Sequence, residues 1–194
     1  MTSPLLAREL MSLEAYARER DRLRTEILVH RRDRTVQVGP NARLIFEDER
    51  TVRYQIQEML RIERISGEEG IQAEIDIYAP LIPDGSNLKA TFMIEFPDEG
   101  ERHARLAQLI GVENRVWVQV EGSSRIFGIA DEDIDRADPD KTSAVHFLRF
   151  ELEKPMVRDL KQGNRLSIGI DHPAHVAGLV LRESVRRSLL NDLR

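Results

Sequence analysis

The chain has 194 residues, 41% hydrophobic and 32% charged, with a net charge of −5 and no cysteine. That length supports one sizeable core without a compositional break, and the acidic balance argues against nucleic-acid binding through a broad basic surface. Without thiols there is no disulfide, no cysteine-ligated iron–sulfur cluster and no cysteine nucleophile, so any metal site has to use histidine, aspartate or glutamate.

No apolar run approaches the roughly 18–20 residues needed to span a bilayer, and the start lacks a secretory pattern. The expectation is a cytoplasmic protein with no membrane span. Ser3 and Pro4 read as the cap and first residue of a short helix. Ser12 restarts a longer one through about Arg31, with Leu13, Tyr16, Leu23 and Ile27 as its stripe. Its arginines alternate with Glu19, Asp21, Glu26 and Asp33, the pattern of a solvated, salt-bridged face. Val36–Val38 and Leu44–Phe46 flank Gly39-Pro40-Asn41 as two short strands around a turn.

The helix that follows, Arg53–Ile65, places Val52, Ile56, Met59, Leu60 and Ile62 on one arc. Gln55 and Glu63 fall inside that arc. A core-facing carboxylate has to be paired or neutralised, so Glu63 is expected to be buried against Arg149, His146 or another cation. Ile71, Ile75 and Tyr78 predict a second helix stopped before Pro80.

From Leu88 to Phe96 the period changes to two, which predicts a half-buried strand. Asp98 and Glu101 resemble a capping box opening a helix that ends at Gly111. Arg115–Glu121 and Arg125–Ala130 read as a strand pair, with Trp117 on the parity opposite Val116, Val118 and Val120. Asp131–Asp140 is an acidic connection without calcium-loop spacing.

Ala144–Leu152 is strongly strand-like, with His146 on the parity of Leu148 and Phe150. A short helix lies between Pro155 and Gly163. Leu166–Asp171 leads into the turn Asp171-His172-Pro173-Ala174-His175, and Val176–Leu181 returns as a paired strand. Glu183–Leu193 closes the chain as an amphipathic helix. The pattern predicts a single α+β domain over residues 1–194, its helical N-terminal half packed on a largely antiparallel sheet.

Several motifs together carry a resemblance: Val38-Gly39-Pro40-Asn41, Tyr54-Gln55-Ile56-Gln57-Glu58-Met59-Leu60, Pro80-Leu81-Ile82-Pro83-Asp84-Gly85, the run from Lys141 to Leu152, and Asp171-His172-Pro173. The chain resembles a bacterial family known only as a domain of unknown function. Members of that family are often encoded beside a rubrerythrin-like di-iron protein and an iron–sulfur oxidoreductase. The resemblance therefore implies a role in electron transfer or peroxide defence, with a partner of one of those kinds. It carries over no catalytic residues.

Phosphate-binding, dinucleotide-binding, nucleophile-elbow and zinc-helix signatures are absent. Three readings remain. The first is a non-catalytic accessory or subunit of a redox system. The second is a metal- or acid–base site built on His146 and His172 with Glu63 or Asp171, which requires the two histidine strands to be antiparallel neighbours. The third is an anion site on the face carrying Arg53, Gln57, Arg61 and Arg64, since guanidinium forks suit carboxylates and phosphates. The candidate residues are Gln55, Glu58, Arg61, Glu63, His146, Arg149, Asp171 and His172. The plain alternatives are a hydrogen-bonded strand histidine, a structural ion pair at Glu63 and a solvated arginine face. The accessory role ranks first because no complete catalytic constellation emerges.

Overall fold

The computed structural model describes residues 7–130 and 140–194. The expected Ser3-Pro4 helix start and nearly all of the acidic connection lie outside the described residues. Helix α1 (Leu13–Arg32) begins where Ser12 Oγ accepts the Ala15 N–H at 3.2 Å. Helix α2 (Glu49–Glu63) opens on a reciprocal cap: Asp48 accepts the Thr51 N–H while Thr51 Oγ1 accepts the Asp48 N–H. Helix α3 (Glu68–Tyr78) follows a short connection, and α2 packs between α1 and α3.

The strands are β1 (Thr35–Gln37), β2 (Ala42–Phe46), β3 (Asn87–Ile94), β4 (Val116–Val120), β5 (Ile126–Phe127), β6 (Val145–Glu151), β7 (Leu166–His172) and β8 (His175–Val180). They form two four-stranded antiparallel sheets, ordered β1-β2-β3-β6 and β5-β4-β7-β8. The α+β reading holds, and the one sheet of the sequence reading is two. The reason is nonlocal: β3 pairs on one side with β2 and on the other with β6, more than fifty positions later in the chain. Strand spacing carries no mark of such partners. The sheets are stitched at one margin, where Ile129 and Arg149 exchange backbone bonds of 2.9 Å.

Alternating residues of both sheets fill one core. Leu44, Phe46, Leu88, Phe92, Leu148 and Phe150 face Val116, Val118, Val120, Leu166, Ile168 and Ile170. Helices α4 (Glu99–Gln108), α5 (Lys154–Lys161) and α6 (Glu183–Leu190) add Leu106, Leu160, Val185 and Leu189 to it. A second cluster, Val52, Ile56, Leu60, Ile75 and Leu81, joins α2 and α3 and meets Phe147 on the outer face of the first sheet. The first sheet is thus covered on both faces. Among the described residues, the second has no comparable helical layer outside it.

One buried cation ties the C-terminus to this frame. Arg34, 1% exposed, donates to the carbonyls of Phe46 at 2.8 Å and Glu47 at 2.9 Å, and pairs with the Asp192 carboxylate. Asp48 lies 3.5 Å from the same guanidinium and 2.6 Å from His30 Nε2.

Candidate functional site

Helix α2 presents two faces to two neighbours, and this rephases its polar residues. Gln57 is buried, with its side chain bonded both ways to the Met11 backbone at 2.9 and 3.0 Å. Ile62, expected inside, is 60% exposed. Glu63, expected buried against Arg149 or His146, is exposed. It is the last residue of α2, beyond which Arg64 turns left-handed with φ 57°. It makes neither expected pair. Arg149 joins Glu151 two residues along its own strand instead.

Glu58 is the charged hub of the helix. Arg20 grips it with two bonds of 2.8 and 2.9 Å, Arg61 adds two longer ones, and Tyr16 donates its hydroxyl at 2.7 Å. The Arg20 hydrogen bond, helped by Arg61 and Tyr16 against desolvation, holds the Glu58 carboxyl down at about 2. Burial and the bond to Glu58 push the Tyr16 phenol up. A carboxylate with this many donors is saturated, which makes it a clamp between α1 and α2. Arg53 is tied to Glu49 and Gln57 to Met11, so the anion face of the sequence reading is largely spent on internal bonds.

Replacing Glu58 by glutamine is expected to cost about 1.5–3 kcal/mol at neutral pH, the usual value of hydrogen bonds to a charged group. A carboxyl lowered from 4.5 to about 2 gives stability that is fully present above 4.5 and lost as pH falls through about 2. Urea titrations of wild type and Glu58→Gln should therefore converge toward pH 2. A gap that stays constant with pH would contradict the clamp.

The two candidate histidines do not meet on adjacent strands. His146 lies on β6 of the first sheet and His172 ends β7 of the second, because the strands that looked like neighbours pair elsewhere. His146 Nε2 lies 2.9 Å from both Thr142 Oγ1 and the Ser143 carbonyl, and its ring stacks on Phe92. At His172, Nδ1 accepts the Ala174 N–H and Nε2 lies 3.2 Å from the Ile110 carbonyl, so both ring nitrogens are engaged. Among the described residues, no group of three or more histidine, aspartate or glutamate side chains is placed to hold a metal ion.

Asp171 leads to a different place, the outer face of the second sheet. Phe127, Trp117, Gly169 and Gly178 lie in register across β5, β4, β7 and β8. The indole lies flat because two glycines face it. A Cβ on Gly169 would come within 2.3 Å of Trp117, and one on Gly178 within 3.4 Å. Arg125 covers the other side, its guanidinium 4.1 Å from the ring centroid, and it reaches the Asp171 carboxylate at 3.4 Å. Around this stack Phe127 is 41%, Val176 75% and Val180 48% exposed. The exposed apolar residues flank the buried indole, 7% exposed, and its Arg125 cover, with Asp171 and Gln119 at the margin.

This face gathers residues that the sequence reading passed over. The signals were present in Trp117 on the minority parity of its strand, two glycines at the paired positions, and a return strand, Val176-Ala177-Gly178-Leu179-Val180, without a single charge. Gln55 lies elsewhere, half-buried in a cleft between α2 and the first sheet.

The sequence matches the family described as "Protein of unknown function (DUF3501)" over residues 4–193. The chain is also similar to a novel protein of unknown function from Burkholderia pseudomallei K96243, whose crystal structure superposes with a TM-score of 0.94 at 49% identity, over 99% of this chain and 100% of that one. Among curated proteins none matches.

Proposed function

Since the chain belongs to the DUF3501 family, we propose, from the geometry of its second sheet, that it is a non-catalytic accessory protein of a bacterial redox or peroxide-defence system, acting by docking a partner protein. The observation that carries this reading is the exposed apolar array of Phe127, Val176 and Val180 on the outer face of the second sheet, around a Trp117 that is itself only 7% exposed beneath Arg125. Apolar residues in contiguous array, ringed by polar ones, are the usual anatomy of a contact surface. Aromatic and arginine side chains are the residues that most often dominate such contacts, and Trp117 under Arg125 supplies both. The resemblance points to a rubrerythrin-like or iron–sulfur oxidoreductase as the occupant. Arg125 favours a partner with an acidic rim.

Calorimetric titration of the chain with each of those two partners from the same host tests the reading. At least one is expected to bind, with Trp117 fluorescence changing on saturation. Val176→Asp or Phe127→Asp should weaken that binding by about tenfold or more, as a charge forced into a desolvated contact does, with the circular dichroism spectrum unchanged. No binding by either partner, or full binding by both variants, would overturn it. So would self-association that buries the same face in a second copy.

A further inference from the structure

A cleft of about 270 Å³ lies between α2, the end of α3 and the outer face of the first sheet. Most of its wall is apolar, from Ile45, Val52, Met93, Val145 and Phe147, and polar groups converge on it from α1, α2 and the first sheet. Glu47, which follows β2, is only 8% exposed. Its carboxylate accepts hydroxyl bonds from Thr91 at 2.6 Å and from Thr51, and no cation among the described residues pairs with it. Arg34, the nearby buried cation, reaches only the Glu47 main-chain carbonyl and spends its charge on Asp192 and Asp48.

Arg31, near the end of α1, lines the same cleft. Its guanidinium makes no hydrogen bond or ion pair with the described residues, and its Nε is shielded from solvent without an acceptor. The ring of Tyr54 lies beneath it, 5.9 Å away. The Gln55 amide, also in the lining, has no partner among the described residues either. A desolvated carboxylate calls for a cation, and a shielded guanidinium Nε calls for an acceptor. Here the two share a cavity without pairing with each other, and most of its lining is apolar. Apolar pockets with a few convergent polar groups are the common form of small-ligand sites.

We infer that this cleft binds a small zwitterion with an apolar body, an aliphatic or aromatic α-amino acid, its ammonium at Glu47 and its carboxylate at Arg31 and Gln55. The amine hydrogens supply the missing cation to the free lone pairs of Glu47, which the two threonine hydroxyls hold in place. The carboxylate satisfies the guanidinium and the amide. The side chain lies against Met93, Val145 and Phe147. This site is separate from the partner face, and neither proposal depends on the other.

The test is calorimetry on the full chain with L-leucine, L-methionine and L-phenylalanine. Isoamylamine and 4-methylpentanoate serve as leucine bodies carrying only one of the two charges. At least one amino acid should bind about tenfold or more tighter than the single-charge analogues, the factor that one added charged hydrogen bond supplies. Glu47→Gln and Arg31→Met should each reduce that affinity at least as much, and Val176→Asp should leave it unchanged. If Glu47→Gln does not fold, Arg31→Met, on a half-exposed helix end, carries the test alone. No binding of any of the three amino acids at about 10 mM, enough to nearly saturate a site with a Kd of about 1 mM, would overturn the inference. Binding unaffected by both substitutions, or amine binding as tight as that of the amino acid, would do the same.

Discussion

Arg34→Met should lower the unfolding free energy by about 3–5 kcal/mol, the cost of breaking a buried ion pair from one side. Arg34 is 1% exposed and every direction around its guanidinium is occupied by an acceptor: the carbonyls of Phe46 and Glu47, Ser188, Asp192 and Asp48. Methionine fills much of the volume but leaves two carbonyls without a donor and Asp192 buried without a cation. The double variant Arg34→Met with Asp192→Asn should lose less than the single, because no lone carboxylate then remains inside. Equal losses in urea denaturation would show that the pair itself matters little.

The same cluster gives a pH signature. Burial, aided by the charge of Asp48 and opposed by Arg34, pushes the Asp192 carboxyl from 3.8 up to about 6. The folded chain thus holds that proton more tightly than the unfolded one. The contribution favours folding most below about 4 and is lost as pH rises through about 6. Asp48 runs the other way. Burial opposes its ionisation, but Arg34, the Thr51 N–H and His30 outweigh that and keep its carboxyl low. Asp192→Asn should therefore flatten the stability profile between pH 4 and 6 and leave the Glu58-dependent fall at lower pH in place.

How far these sites could be read in advance depended on whether their signal was periodic. The strands that alternate, Leu88–Phe96 and Leu166–Asp171, and the helices capped by Ser12 and Asp98 were legible because pattern and cap are local. Trp117 was legible as a residue on the parity opposite its valine neighbours in β4. Its meaning was not, since that depends on Gly169 and Gly178 lying beside it in register. Helix α2 misled because one wheel cannot show two contacting layers. Gln57 turns in toward the chain before α1, Glu58 is clamped by α1, and Val52, Ile56 and Leu60 turn toward α3 and the sheet. Glu63 then runs past the last packed turn into solvent. Arg34 and Glu47 gave no signal at all, because an isolated polar residue at a strand end looks the same whether it is exposed or buried among nonlocal partners.

Gly169→Ala should destabilise the chain by about 1–3 kcal/mol through overpacking, although alanine in a strand interior ordinarily improves on glycine by about 0.5–1 kcal/mol. The sign is decided by what the new methyl meets. It would lie 2.3 Å from Trp117 Cζ2 and 2.6 Å from the Ala177 carbonyl oxygen. The indole could tilt away only by leaving its place beneath Arg125, and the carbonyl belongs to the β7–β8 ladder, so relief at one contact leaves the other. Gly178→Ala is the matched control. Its nearest approach is 3.4 Å to the same ring, an ordinary contact, and its effect should stay within about 0.5 kcal/mol. The pair also separates packing from docking. Gly169→Ala should shift the Trp117 emission and weaken partner binding together, whereas Gly178→Ala should leave the emission where it is. Thermal unfolding of the two variants side by side checks this, and equal melting temperatures would mean that the flat seat of the indole is not what shapes this face.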